Sequence, residues 1–142
     1  TYRPEGEGLV TFALPGDFVR EAWTMLLTCP EGACDAIADV RDERRRKIEE
    51  ATFTWADGRY QHASQRTTTV DCDAAGKRVK DGATATATTQ LVLAGFALPG
   101  TANVQRRLQG TRTVVIAPVG DSGCAARTVV YPATGDLVEP EP

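Results

Sequence analysis

A chain of 142 residues with 42% apolar and 25% charged side chains is a single soluble-type domain, large enough to bury about 68–70% of its unfolded surface. The net charge of -3 argues against a nucleic-acid or polyanion partner, because such modules are usually clearly basic. No stretch approaches the roughly 20 apolar residues of a membrane-crossing helix, and no signal peptide is visible at Thr1, so any membrane contact is expected through a segment outside these residues.

Residues 1–8 (TYRPEGEG) and 134–142 (ending LVEPEP) read as linker-like ends of one domain spanning 1–142. Within Glu7 to Leu14, Val10, Phe12 and Leu14 alternate on one face, which is a strand signal, and Pro15-Gly16 breaks it as a turn. Asp17 to Thr28 fits two templates. As a strand it puts Val19, Trp23, Met25 and Leu27 on one face, with Glu21 the exception. As a helix it starts on an Asp17 N-cap. The strand is preferred because the segment runs straight into a short loop closed by Cys29 and Cys34.

Asp35 to Arg41 reads as a short returning strand. Arg41 to Glu50 (RDERRRKIEE) carries opposite charges four apart at Asp42/Arg46, Glu43/Lys47 and Arg46/Glu50, so it reads as a short exposed helix or a mobile insertion. The strongest local signal follows. Asp57-Gly58 sits between two alternating runs, predicting a two-residue hairpin in which Ala56 faces Arg59, Trp55 faces Tyr60, Thr54 faces Gln61 and Phe53 faces His62. Phe53, Trp55, Tyr60 and His62 then share one face.

The second hairpin strand continues through Arg66 to Cys72 towards a turn at Asp73 to Lys77. Gly82 to Leu93 alternates Thr84, Thr86 and Thr88 outward with Ala85, Ala87, Leu91 and Leu93 inward, as a half-buried strand does. Phe96 to Leu108, broken by Pro99-Gly100, reads as a loop or short strand. Thr111 to Ala117 and Cys124 to Tyr131, both rich in β-branched residues, read as a final hairpin. The expected fold is therefore all-β and mostly antiparallel, a sandwich or partly closed barrel with at most one or two short helices.

Four cysteines allow three pairings. Local closure favours Cys29–Cys34, which leaves Cys72–Cys124. Zinc is the lesser alternative, since the C-x4-C pair has no second close pair or His cluster beside it. A redox-active Cys29/Cys34 pair is the other, although such pairs are normally C-x-x-C at a helix start.

Several residues invite a catalytic reading. Gly120-Asp121-Ser122-Gly123 resembles the GDSG of chymotrypsin-like serine proteases, with His62 and Asp71 preceding it in that family's order. The resemblance ends there: Gln61-His62-Ala63-Ser64 departs from AAHC, Cys124 replaces the next Gly, and the chain is too short for two barrels. A turn is the simpler reading of those four residues. His62 is the sole histidine, and its predicted place beside Phe53 makes it a packing residue. Asp71 and Asp73 suggest a calcium role only weakly, as no loop with regular oxygen spacing follows. Trp55 and Tyr60 fit a sheet face or core better than an aromatic ligand platform. No cofactor motif is present.

With these residues laid out, the chain resembles a group of actinobacterial cell-envelope domains that includes secreted or lipoprotein modules and the extracytoplasmic sensor domains of transmembrane Ser/Thr protein kinases. The features in common are Trp23 leading into Cys29-Pro30-Glu31-Gly32-Ala33-Cys34, the hairpin Trp55-Ala56-Asp57-Gly58-Arg59-Tyr60, Cys72 before a turn, and Cys124 opening the last strand. The block Arg41 to Glu50 is longer than that pattern. The resemblance implies a disulfide-bonded, non-catalytic domain outside the membrane. It would sense or bind an envelope ligand or protein partner for a membrane-anchored signalling kinase, with no cofactor and with a homodimer as one route for its signal. The alternatives are a free-standing secreted or lipid-anchored protein that binds a lipid or cell-wall component, and a small secreted hydrolase using Ser122.

Overall fold

The computed structural model describes residues 3–27, 35–57, 59–97 and 104–138. These form eight antiparallel strands and no helix: β1 (Arg3–Leu14), β2 (Asp17–Leu27), β3 (Ala36–Arg41), β4 (Lys47–Ala56), β5 (Arg59–Ala74), β6 (Lys77–Ala97), β7 (Val104–Pro118) and β8 (Arg127–Val138). Each pairs with the next in sequence, and β8 returns to β1, so the sheet closes into an up-and-down barrel. Closure pairs the first and last strands where they run side by side, Glu7 to Phe12 against Ala133 to Val138.

Both chain ends take part in that closure. Residues 3–8 and 134–138, which read as linker-like, belong to β1 and β8, with Glu7 opposite Val138 and Val10 opposite Gly135. A Cβ on Gly8 would overlap the Asp136 carbonyl, so the glycines that look like linker composition allow two strands to approach where the barrel closes.

Asp17–Leu27 is a strand, as preferred over the helix. The expectation of a helix or insertion over 41–50 is overturned. Asp42 accepts the Arg44 and Arg46 amides on one carboxylate oxygen at 2.9 Å each, while its own amide and carbonyl bond Arg46 and Arg45. These bonds close a tight loop at 42–46, with Arg45 at φ 65°, and β4 begins directly afterwards. The local Asp side chain outcompetes the charge pairs a helix would have used.

The core fills the barrel with one residue in two from each strand. Val10 and Phe12 meet Trp23, Met25, Val40, Phe53, Leu91, Leu108 and Leu137, all at or below 1% exposure. Trp23 packs edge-on to Phe53 and to His62, with ring centroids 6.0 and 5.7 Å apart.

Strands β5 to β8 continue past the last β1–β8 pair, Phe12 with Ala133, as a four-stranded overhang. A disulfide between Cys72 on β5 and Cys124 in the β7–β8 connection ties its far end, with Cα atoms 5.9 Å apart. Cys29 and Cys34 lie outside the described residues.

Candidate functional site

The β4–β5 seam positions the site. The hairpin register matches expectation for Thr54–Gln61, Trp55–Tyr60 and Ala56–Arg59, and then the ladder stops. Phe53 and His62 form no ladder pair. From there β4 stays with β3 and β5 with β6, and side chains span the widening fork. His62 is 5% exposed, with Nδ1 2.8 Å from the Thr52 carbonyl and Nε2 2.9 Å from Ser64 Oγ. A carbonyl only accepts, so Nδ1 carries a proton and the ring ties the two strands together. Its centroid lies 5.2 Å from that of Phe53, which makes it a packed residue within the aromatic core.

Deeper along the same fork lies a layer of charge inside the barrel. Arg112 on β7 donates from Nη1 and Nη2 to the two carboxylate oxygens of Glu21 on β2, each at 3.0 Å, and from Nε to Thr89 on β6 at 2.8 Å. Its guanidinium carbon stands 3.7 Å over the Phe12 ring. Trp23 Nε1 donates to the same Glu21 at 3.3 Å. A paired fork of this kind satisfies two buried charges that would otherwise be very costly.

Beside this closed pair sits a loose one. Arg66 on β5 has Nη2 3.6 Å from Glu21 and 3.8 Å from Glu49 on β4, both beyond hydrogen-bond length. Glu49 Oε1 is buried without a hydrogen-bond partner among the described residues. The Arg66 side chain is 33% exposed and that of Glu49 14%, against 9% and 4% for Arg112 and Glu21, so the loose pair faces the open side of the layer. Two carboxylates and two guanidiniums leave the layer balanced in charge.

Register places an apolar strip next to it. Arg66 stands opposite Ala87, Ala87 opposite Val114, and Val114 opposite Val129; one row further, Thr68, Ala85 and Ile116 follow. Residues two apart on a strand share a face, so this inner side of the overhang, half-buried except at the exposed Thr68, continues the barrel interior. On the opposite rim, Val19 and Phe18 are exposed and, with Arg20, Glu21, Asp42, Glu43 and Arg44, line a cleft of about 300 Å³. Glu21 lines that cleft and lies 3.6 Å from Arg66 at the end of the strip, so the two surfaces flank the charged layer; together they are called its mouth.

The sequence-derived catalytic candidates do not assemble. His62 is engaged by Thr52 and Ser64. Asp71 accepts the Asp81 amide at 2.8 Å and Arg78 at 3.2 Å, which holds its carboxyl below the usual range, first through the backbone amide and then through the guanidinium. Ser122 Oγ accepts the Cys124 amide in the β7–β8 connection. Each of the three is bonded to different groups. Among the described residues no cluster of three His, Cys, Asp or Glu side chains is arranged to hold a metal ion. Trp55 and Tyr60 pack edge-to-face at 4.9 Å, with Tyr60 buried and Trp55 38% exposed.

Sequence reasoning missed the charged layer. Its one local signal was Glu21, the polar residue on an otherwise apolar strand face, whose partner lies 91 residues downstream. Comparison with known proteins adds no family: no protein-family model, curated protein or solved structure matches the chain.

Proposed function

We propose that this chain is a non-catalytic, extracytoplasmic binding domain that holds the polar head of a small neutral amphiphile between Arg66 and Glu49, with its apolar body on the strip Ala87, Val114, Val129 and Ile116. The observation that carries this reading is the pair itself: the Arg66 guanidinium faces, at 3.8 Å, a buried carboxylate oxygen with no hydrogen-bond partner among the described residues, at the open side of an otherwise closed ionic layer. A ligand offering an acceptor and a donor side by side fits that gap. A carboxamide does so, its carbonyl taking an Arg66 N–H and its own N–H reaching Glu49 Oε1. Charge balance favours a neutral head, because a carboxylate or an ammonium would leave an uncompensated charge in a poorly hydrated place.

The Cys72–Cys124 disulfide agrees with an oxidising compartment. Attachment outside the membrane to a Ser/Thr protein kinase, as its sensor, rests on the spaced cysteine and aromatic pattern of the sequence.

Titration with octanamide, octanoate and octylamine, followed by amide NMR, tests the reading. Octanamide is expected to bind tightest, to shift resonances around residues 66, 87 and 114, and to weaken at least tenfold in Arg66→Met and Glu49→Gln. Binding by none of the three, or octanamide binding unchanged in both variants, would overturn it.

A further inference from the structure

A second concavity lies elsewhere, on the outside of the barrel. It is a notch of about 590 Å³ at the crotch of the β4–β5 fork. Its wall crosses four strands in two rows. Thr54, Gln61, Val92 and Gln109 stand opposite one another in the first, and Ala63, Gln90 and Thr111 in the second, with Thr52 beside them. Strands lie about 4.8 Å apart, so the first row runs about 14 Å and the second about 10 Å, and the rows are separated by about 7 Å along the strands.

Among the described residues no Asp, Glu, Lys or Arg lines the notch; its polar side chains are three carboxamides and three hydroxyls, each able both to donate and to accept, and His62, whose two ring nitrogens are already engaged by Thr52 and Ser64. Gln90 and Gln109 spend no hydrogen bond on the described residues, whereas Gln61 reaches the Ala56 carbonyl only at 3.4 Å. Val92 and Ala63 interrupt the polar groups with small apolar patches.

The fork also bears on what fits there. An extended peptide would bind by pairing with free strand edges. At this crotch Thr54 and Gln61 already pair with each other, and the Thr52 carbonyl is occupied by His62. From Ala63 onward β5 has no ladder pairs with β4, but the notch wall is the outer face of the strands and is reached through their side chains.

We infer that the notch is a second binding site, distinct from the mouth, for an uncharged linear oligosaccharide laid across β4 to β7. Successive sugar units meet successive strands, their hydroxyls bond the carboxamides and threonines, and their C–H faces rest on Val92 and Ala63. An uncharged wall suits neutral sugars, since a uronate or phosphate would lose hydration without gaining a counter-charge.

The test is an amide NMR titration with maltohexaose, cellohexaose and mannohexaose, each beside its disaccharide. The expected result is that at least one hexasaccharide shifts residues 61, 90, 92 and 109, binds at least tenfold tighter than its disaccharide, and loses at least tenfold in Gln90→Ala/Gln109→Ala. Both glutamines are exposed, and loss of binding counts only with the amide spectrum otherwise unchanged. Arg66→Met is expected to leave this binding intact, which separates the notch from the mouth. Absence of shifts with all three sugars, or shifts that persist in the double variant, would overturn the inference. So would shifts with a Thr/Val heptapeptide along 63–69 in place of any sugar response.

Discussion

Arg112 and Glu21 close on each other across the barrel interior, fork to fork, with both nitrogen–oxygen distances 3.0 Å. One comes from β7 and the other from β2, so this contact exists only once the sheet has closed. Removing one partner strands the other. Glu21→Ala or Arg112→Ala is expected to cost about 3–5 kcal/mol in urea unfolding, whereas Glu21→Leu with Arg112→Met together is expected to cost less than either single change. A single change costing under about 1 kcal/mol would show that the pair is solvated in solution.

The disulfide is the second prediction. Cys72 and Cys124 are 52 residues apart, and in the chain-entropy account a loop of that length contributes about 4 kcal/mol. Cys72→Ser with Cys124→Ser is expected to lower stability by up to that amount. Non-reducing peptide mapping of the native protein is expected to recover the Cys72–Cys124 peptide.

A third concerns Gly110 on β7, which lies opposite Leu91. A Cβ there would overlap the Gln90 carbonyl, a backbone group with no rotamer by which to move aside. Gly110→Ala is expected to destabilise by about 1–3 kcal/mol or more, measured by urea unfolding. Gly76→Ala, in a turn with open space around it, serves as the mild comparison even though its φ of 77° disfavours alanine.

Tyr131 supplies a pH dependence. Its hydroxyl donates to Asp17 at 2.9 Å, and that bond to a carboxylate, ahead of burial, raises its pKa above the ordinary 10.0. Folding therefore favours the protonated phenol. The contribution is fully present below pH 10 and is lost as pH rises from there through the raised folded value. Ultraviolet titration of the folded protein is expected to show one tyrosine ionising late, and Asp17→Asn to return it towards 10. Unchanged late ionisation in Asp17→Asn would sink this assignment.

Much of the fold was legible because its causes are local. Alternation marked β1, β6 and the final hairpin, and Asp57-Gly58 set three residue pairs of β4 and β5 correctly. The fourth, Phe53 with His62, failed because the strands part there and the imidazole spans the gap, which depends on where β3 and β6 hold the two strands. The charged block misled for a different reason: Asp42 serves the loop amides, and no pattern of i,i+4 charges discloses that competition. The chain ends looked like linkers because Gly, Pro and Glu dominate them, yet strand closure demands glycine at Gly8 and Gly135.

The candidate site was almost illegible. Arg66, Glu49, Glu21 and Arg112 lie on four strands, and each alone reads as an ordinary charged residue. Only the closure of the barrel turns them into one layer.

The most direct test of that layer as a ligand seat is a crystal structure grown with octanamide. The account predicts the amide between Arg66 and Glu49, its oxygen and nitrogen each within about 2.7–3.2 Å of them, and the alkyl chain along Ala87 and Val114. A structure in which Arg66 and Glu49 bond each other directly, with the amide absent from the mouth, would contradict it.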